Sequence, residues 1–287
     1  MLDQHETKTR QASGGPGGGA ASSAGASRPI SILIRTLNEA DRIEAAIRSA
    51  LPIGGEIIVI DAGSSDDTAA IAERLGAKVI VNPWPGFGPQ RYFGEEKCAH
   101  DLIFALDADE IVTPEFVREL HQVLDQADPP RLMQVRKAMI FPHHKKPPPL
   151  GFCTTQIYIY DRRIARTNSN PNWDKLDIAS KEPVHLIKAP IWHFSYRDWN
   201  HVVQKANYVA QLAADTSPVR SRLGLLFRLV FEFPATFFKF YFLRRYFLAG
   251  ADGFTMAMLS AFGRYLRIAK MLERADFNYT RNKTNSR

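Results

Sequence analysis

The sequence predicts an α/β protein built on a mostly parallel β-sheet, and three observations lead to this prediction. Short apolar runs alternate with segments of helical spacing, the run Leu102–Leu106 has no polar residue, and several runs end in carboxylates. An uninterrupted apolar run of this length is typical of a strand buried on both faces. Alternation of strand and helix at this spacing indicates right-handed βαβ units and therefore a parallel sheet.

The elements can be taken in order along the chain. The expected strands of the first half are Ile30–Ile34, Glu56–Ile60, Ala77–Val81 and Leu102–Leu106. The expected helices are one with apolar positions Ile43, Ala46, Ile47 and Ala50 and Asn38 as its N-cap, then Asp66–Leu75, about Gln90 to Cys98, and Pro114 to about Gln126. Residues 131–195 have the pattern of mixed strands and loops, and the pattern is helical from Asp198 to the end.

The two ends of the chain differ from its middle in composition. Residues 1–28 include the run Gly14–Gly19, with one proline, and many Ala and Ser, so we expect a disordered tail there. A transit peptide is the alternative, but Asp3 and Glu6 argue against it. Residues 216–287 carry 13 Lys and Arg against 4 Asp and Glu, whereas the rest of the 287-residue chain is slightly acidic. This local excess of positive charge predicts an anionic partner for the C-terminal quarter.

The cysteine content and the N-terminal sequence argue against a disulfide-rich protein, a cysteine-based metal site and a secretory signal. The only cysteines, Cys98 and Cys153, form neither a disulfide framework nor a pattern of metal ligands. The N-terminal segment lacks the apolar region of a secretory signal. The glycine-rich signatures of dinucleotide-binding and P-loop proteins do not occur.

Three of the predicted strands end in polar or acidic residues, which a parallel sheet would bring to one edge. The first is followed by Arg35 to Glu39, the second by Asp61, and the fourth by Asp107 and Asp109. Ligands of open α/β sheets bind at this carboxyl edge. Two carboxylates spaced two residues apart point the same way on an extended chain, and would hold Mg²⁺ or Mn²⁺ together with a substrate diphosphate. The other interpretation is an acidic turn that follows a core strand.

Five segments of the chain carry a resemblance to a known family. Thr36–Glu39, Ile58–Thr68 and Leu106–Glu110 resemble the three signatures of family 2 glycosyltransferases with the GT-A fold. Trp84–Arg91 and Trp192–Tyr196 resemble the branch that includes the lipopolysaccharide core β-1,4-glucosyltransferases. The resemblance runs from about Ile30 to Glu273, and it implies a Rossmann-like α/β fold.

The resemblance also implies roles for particular residues. The site for a nucleotide-sugar donor would include Thr36, Asn38, Glu39 and Asp61, of which the last three would hold the base and ribose. Asp107 and Asp109 would bind Mg²⁺ or Mn²⁺, with Asp109 the firmer ligand and His193 a further one. Arg91 would contact the diphosphate. The other interpretations are a solvated helix residue for Arg91 and a core histidine bonded to backbone for His193.

The catalytic base is the point at which the sequence departs from the family pattern. Inverting members need a carboxylate that deprotonates the acceptor hydroxyl, and the branch usually presents it in a Val-His-Glu segment that this chain lacks. Counting back from Trp192 and His193 places Asn172-Trp173-Asp174 in its position. Asp174 is therefore the first candidate and Asp177 the second, whereas an ordinary loop aspartate is the alternative.

Residues 223–249 are rich in aromatic and aliphatic side chains, with Lys and Arg interspersed. No uncharged stretch reaches the roughly 18 residues of a membrane-spanning helix. Aromatic residues mixed with basic ones are typical of a helix that lies in the interface of an anionic membrane. The alternatives are a helical hairpin packed on the catalytic domain and a dimer interface. No nucleic-acid-binding module is recognised, so we expect no nucleic-acid partner.

Together these features predict an inverting, metal-dependent glycosyltransferase with a GT-A domain at 29–200 and a helical, membrane-associating region at 201–287. The acceptor would be a lipid-linked glycan such as the lipopolysaccharide inner core, reached by peripheral binding at the cytoplasmic face of a membrane. One rival is a transferase onto polyprenyl phosphate, which needs no carboxylate base. The other is a non-catalytic scaffold that binds sugar nucleotides at a membrane.

Overall fold

The structure is a computed structural model, and it describes residues 28–148, 150–218 and 221–285, with side chains as far as residue 275. The tail expected at 1–28 lies outside the described residues except for Arg28. The strands are β1 (Ile30–Thr36), β2 (Glu56–Asp61), β3 (Lys78–Val81), β4 (Leu102–Asp107), β5 (Glu110–Ile111), β6 (Leu132–Met139), β7 (Cys153–Asp161), β8 (Ala165–Thr167), β9 (Leu176–Ile178) and β10 (His185–His193).

The helices begin close to the predicted positions. They are α1 (Ile43–Ala50), α2 (Thr68–Arg74), α3 (Phe87–Lys97), α4 (Pro114–Leu124), α5 (Trp199–Thr216), α6 (Arg222–Phe238) and α7 (Gly250–Asn285), with a π-helical turn at Lys239–Leu243 and 3₁₀ turns at Leu51–Ile53 and Tyr246–Ala249. The predicted Asn38 cap is wrong, because α1 begins only at Ile43. Asn38 instead has a left-handed backbone (φ 54°), and its side-chain oxygen accepts a hydrogen bond from the amide of Ser65.

The main sheet has eight strands in the order β3-β2-β1-β4-β7-β6-β10-β5. Strands β1 to β4 are mutually parallel, as predicted, and β6 and β10 are also parallel to each other. Antiparallel pairing joins β7 to β4 and β6, and β5 to β10. The register aligns Arg35 with Asp107 and Thr36 with Asp61, which confirms that the polar strand ends meet at one edge.

Both faces of β1 and β4 are buried because their side chains point alternately to two apolar layers. One layer contains Ile32 and Phe104 and packs against α1 and α4. The other contains Leu33 and Ile103 and lies on the α3 side. The strands are therefore held from both sides, which fixes the position of their carboxyl ends.

The C-terminal helices pack on the sheet domain through a small apolar cluster. Phe141 contacts Tyr246 edge to face, with ring centroids 4.9 Å apart, and Val202 and Met256 complete the cluster. Many apolar side chains of α6, α7 and the turns between them face outward. Within the described part of the chain, none of the helices combines the length and apolar character needed to cross a bilayer.

Substitution of Phe116, which stacks on Phe104, tests whether these two rings belong to the main hydrophobic core. Both rings are fully buried, and their centroids are 5.5 Å apart. We expect Phe116→Ala to lower the free energy of unfolding by about 3–5 kcal/mol, because it removes apolar contacts and leaves a cavity. Urea unfolding measures the change. The control is Val81→Ala at an exposed position of the edge strand β3, for which a change within about 0.5 kcal/mol is expected. An equal effect of the two substitutions would contradict the assignment.

Candidate functional site

A cleft of about 560 Å³ opens at the carboxyl edge of the sheet. Its floor comes from the ends of β1 and β4, and its walls come from the segment before α3, the end of β10 and helix α5. Side chains that line it include Arg35, Thr36, Asp107, Asp109, His193 and Lys205. The edge predicted from the sequence thus carries a cavity.

Two arginines and two aspartates form one charge cluster beside this cleft. The Nη2 atoms of Arg35 and Arg91 lie 2.8 and 3.1 Å from Oδ1 of Asp107. The same two nitrogens lie 2.9 and 3.0 Å from Oδ2 of Asp174. The side chain of Arg91 is 3% exposed and that of Arg35 is 12% exposed, whereas about a quarter of each aspartate side chain is exposed.

The cluster keeps Asp107 ionised. Removal from water by itself would raise the pKa of Asp107, but the positive charges of Arg35 and Arg91 outweigh this and hold the pKa far below its usual range. The other oxygen of Asp107 accepts a hydrogen bond of 3.3 Å from the hydroxyl of Tyr158. Glu110 accepts a bond of 3.0 Å from the Asp107 amide, which fixes the turn after β4.

Asp109 faces a different partner from Asp107. Its Oδ2 atom lies 3.4 Å from Nε2 of His193, which is the last residue of β10. The Asp109 carbonyl accepts a hydrogen bond of 2.8 Å from the amide of Phe194. Burial would raise the pKa of Asp109, but the hydrogen bond with His193 and the charge of that residue lower it. Asp109 and His193 are therefore a rigid oxygen and nitrogen donor pair that fits a divalent cation.

The structure does not join Asp107 to this pair as a third ligand. Among the residues that the structure describes, no group of three or more His, Cys, Asp or Glu side chains is placed to hold a metal ion. Asp107, predicted as a ligand, is engaged by Arg35, Arg91 and Tyr158 instead. Protein groups thus offer two donors at Asp109, and further ligands would have to come from a bound molecule.

The other predicted residues of the donor site lie around the loops after β1 and β2. Asp61 is buried and accepts hydrogen bonds from the amide and hydroxyl of Ser64, at 3.0 and 2.6 Å. Asn38 receives the Ser65 amide at 2.8 Å, so these two loops are held together. Thr36 lines the cleft, and its buried hydroxyl has no hydrogen-bond partner among the residues that the structure describes. A buried hydroxyl without a partner is costly unless a ligand uses it.

Glu39 is neutralised by two arginines rather than left free. Its carboxylate accepts bonds of 2.6 Å from Arg42 and 3.0 Å from Arg197. Burial raises the pKa of Glu39 in spite of these charges. Arg42 also donates to the carbonyl of Phe194 at 2.7 Å, and so ties the first signature segment to the segment that carries His193.

The segment before α3 makes contact with the loop that carries Asp174. The amide of Phe87 donates to the carbonyl of Pro171 at 2.8 Å. A side chain at Gly88 would place its Cβ 2.3 Å from the carbonyl oxygen of Asn168, so only glycine fits there. The Trp84–Arg91 motif therefore has a physical role, since it supports Asp174 and supplies Arg91. Neither candidate base is among the residues that line the cleft. Asp174 belongs to the charge cluster beside the cleft, whereas Asp177, the second candidate, lies exposed on β9.

Sequence reasoning missed two basic residues of the site. Arg35 lies in the polar segment that follows the first predicted strand, but no role was predicted for it. Its position opposite Asp107 follows from the parallel pairing of β1 and β4. Lys205 lies on α5, far along the chain, and no local pattern marks it. Its ammonium donates to the Ser195 hydroxyl at 2.8 Å, and burial lowers its pKa.

Comparisons with known proteins agree with this geometry. The profile described as "Glycosyl transferase family 2" matches residues 31–170. An uncharacterized glycosyltransferase of Rickettsia felis is 36% identical over 258 residues, covering 85% of this chain and 89% of the relative. The lipopolysaccharide core biosynthesis glycosyltransferase LpsC of Rhizobium meliloti is 25% identical, covering 86% and 93%.

One group of solved structures is also similar to part of the chain. Glucosyl-3-phosphoglycerate synthase of Mycobacterium tuberculosis, solved with Mn²⁺, UDP and glucosyl-3-phosphoglycerate, is 30% identical with a TM-score of 0.33. The match covers 39% of this chain and 44% of that one, so it spans less than half of either. On the matched profile and the near full-length relatives, this chain belongs to glycosyltransferase family 2, and it is a glycosyltransferase with a GT-A-like α/β fold.

Proposed function

We propose that the protein transfers a sugar from a nucleotide-sugar, such as UDP-glucose, to a lipid-linked glycan with inversion at the anomeric carbon. The observation that carries the proposal is the single cleft that combines the Asp109–His193 donor pair with the cations Arg35 and Lys205. Such a cleft offers both metal ligands and positive charge to a diphosphate leaving group.

The donor nucleotide would lie along the ends of β1 and β2. The buried Thr36 hydroxyl supports this placement, because it has no hydrogen-bond partner among the described residues and belongs to a residue that lines the cleft. Asn38, Glu39 and Asp61 would hold the base and ribose, as the family pattern implies. Arg91 would add its charge to that of Arg35 at the diphosphate.

Asp109 and His193 would hold the divalent cation, Mg²⁺ or Mn²⁺. When bound, the metal supplies neutralisation of the negative charge that develops on the diphosphate. Asp107 would act beside it by orienting Arg35 and Arg91, whose guanidinium groups it holds at 2.8 and 3.1 Å. This arrangement retains Asp107 in the donor site and gives Asp109 the role of principal protein ligand.

Asp174 is the residue we propose as the base. As an acceptor hydroxyl attacks, the new bond forms to the anomeric carbon, the bond to the diphosphate oxygen breaks, and the hydroxyl proton passes to the carboxylate. A second cavity of about 380 Å³ shares Asp109 with the donor cleft and is lined by Phe141, Tyr196 and Arg197. Aromatic faces and charged hydrogen-bonding groups together suit a sugar, so this cavity supports an acceptor site there.

The proposed acceptor is the lipopolysaccharide inner core. Similarity to LpsC over 86% of the chain supports this choice, as does resemblance of the Trp84–Arg91 and Trp192–Tyr196 motifs to core glucosyltransferases. A phosphate acceptor such as a polyprenyl phosphate is the competing possibility, and it differs by having no need of Asp174.

We further propose that residues 29–200 form the catalytic domain and that 201–287 dock it on the cytoplasmic face of an anionic membrane. The supporting feature is an outward-facing aromatic surface on α6, the π-helical turn, the following 3₁₀ turn and α7. It comprises Leu223, Phe227, Val230, Phe231, Phe238, Phe242, Leu243, Phe247, Leu248, Phe254, Met258 and Phe262.

Exposed basic residues accompany the aromatic surface. Lys239 and Arg245 lie within it, and Lys145 and Lys146 form a groove with Leu248. Apolar side chains that insert among lipid tails, with lysine and arginine at the level of the headgroups, are the combination that binds anionic membranes.

The catalytic proposal is tested by substitution of Asp109. We expect Asp109→Asn to lower metal-dependent release of nucleotide from the donor sugar on the order of 100-fold, since a group that stabilises the leaving group is lost. The donor is chosen beforehand by thermal shift with UDP-, GDP- and ADP-sugars in the presence of Mn²⁺. Asp128→Asn, at an exposed loop position, is the charge-matched control and should keep full activity. Near-normal turnover in Asp109→Asn, or no shift with any nucleotide-sugar, would refute the proposal.

The membrane proposal is tested by sedimentation with lipid vesicles. We expect the double substitution Phe227→Ser and Phe231→Ser to reduce binding to anionic vesicles about tenfold, because two exposed rings no longer insert into the bilayer. Val81→Ser removes an exposed apolar side chain from the far edge of the sheet and should bind as the wild type does. A different result would contradict the proposal: the wild-type protein does not bind anionic vesicles, and it forms dimers that the double substitution dissociates. In that case the surface is a dimer interface.

A further inference from the structure

The charge cluster beside the donor cleft contains two carboxylates, those of Asp107 and Asp174. Arg35 and Arg91 each contact Asp107 and Asp174 at 2.8 to 3.1 Å, so two cations are shared by two anions. Asp107 and Asp174 each neutralise part of the charge of the two arginines. They differ in how firmly the backbone around them is held.

Asp107 is fixed by regular structure. It ends β4, it stands in register with Arg35 on β1, and its amide is bound by Glu110. Asp107 cannot leave the two arginines without disturbing the centre of the sheet. It is therefore the permanent partner of the guanidinium pair.

Asp174 belongs instead to a short irregular segment between two fixed points. On one side, the carbonyls of Asn170 and Pro171 accept the amides of Gly88 and Phe87. On the other side, the carbonyl of Lys175 accepts the amide of Asn168 at 2.9 Å. Between these anchors, the amide of Asn172 donates to Oδ1 of Asn170 at 2.9 Å. Movement of Asp174 therefore has to break at most this one local bond while the rest of the loop stays in place.

Little packing opposes such a movement. Trp173 is 43% exposed, and neither it nor Asp174 belongs to an apolar cluster of the described core. What holds Asp174 in the charge cluster is its pair of contacts with Arg35 and Arg91, both made through Oδ2. An anion with stronger affinity for the two guanidinium groups would release it.

We propose that Asp174 and the diphosphate of the donor compete for Arg35 and Arg91, so that donor binding releases the Asp174 carboxylate from the guanidinium pair. A diphosphate carries more charge than a carboxylate and offers several oxygens to the planar donors of arginine. Within the described part of the chain, the buried Nε–H of Arg35 has no partner either, so it is a further donor beside the shared nitrogens.

This competition would impose an order on the reaction, and it rests on the proposed function. While Asp174 is paired with two cations, it cannot accept a proton from an acceptor hydroxyl through the same oxygen. Once a diphosphate takes its place, the carboxylate is free to turn toward the acceptor cavity. The base would thus become available only when the donor is bound.

The test compares the affinity of the wild-type protein and Asp174→Asn for inorganic pyrophosphate and for UDP and GDP, by calorimetry in magnesium buffer. We expect Asp174→Asn to bind pyrophosphate and one of the nucleotides about three- to tenfold more tightly, the effect of removing one competing ion pair. Asp128→Asn removes the same charge from a distant exposed loop and should leave all affinities unchanged. Unchanged or weaker binding by Asp174→Asn would overturn the proposal.

Amide hydrogen exchange gives a second test of the competition. If Asp174 had only a structural role, pyrophosphate would not change the exchange rates of residues 172–174. In the wild type, we expect the amides of residues 172–174 to exchange faster after pyrophosphate is added, while those of Phe87 and Gly88 stay protected. Asp174→Asn should show fast exchange with and without pyrophosphate. Slower exchange of residues 172–174 on binding would mean that the anion tightens this segment, and would overturn the proposal.

The two probes separate this proposal from the proposed function. If pyrophosphate binds more tightly to Asp174→Asn but neither UDP nor GDP binds any variant, the competition stands and the nucleotide-sugar assignment fails. If UDP binds equally well to the wild type and to Asp174→Asn, the nucleotide site stands and the competition fails.

Discussion

Parallel pairing of β1 with β4 is the constraint on which the site depends. It places Arg35 opposite Asp107, and the apolar layers on both sides of these strands leave no freedom to shift the register. Slippage of β1 by one residue would move Arg35 to the opposite face of the sheet and end its contact with Asp107. The contact of Arg35 with Asp107 and the floor of the cleft both follow from this one alignment.

Buried carboxylates pair with basic side chains at several places in the domain, and the cluster of Arg35, Arg91 and Asp107 is one of them. The carboxylate of Asp161 is fully buried and pairs with Arg28, Arg131 and Arg163. Glu95 on α3 is equally buried and accepts from Tyr160, at 2.7 Å, and from the backbone of β8. Because unpaired buried charges are costly, these contacts fix how α3 and the strands after β6 lie relative to the site.

Much of the fold follows from local sequence, and much of the site does not. Apolar runs such as Leu102–Leu106 identify buried strands, and their polar ends then identify the edge, because both depend on a few neighbouring residues. The arrival of Lys205 from α5 and the turn at Asn38 depend on contacts between distant segments, so no local pattern reveals them. Asp174 could be located only by resemblance, and its pairing with two arginines required the folded chain.

The absence of a side chain at Gly88 links the two segments that carry Arg91 and Asp174. Helix α3 carries Arg91, and the turn at residues 168–171 precedes Asp174, whose carboxylate contacts Arg91. These parts touch backbone to backbone, with no side chain between them to absorb a change. In evolution, the two segments must therefore vary together, and a change in the shape of the turn would also change the position of Arg91.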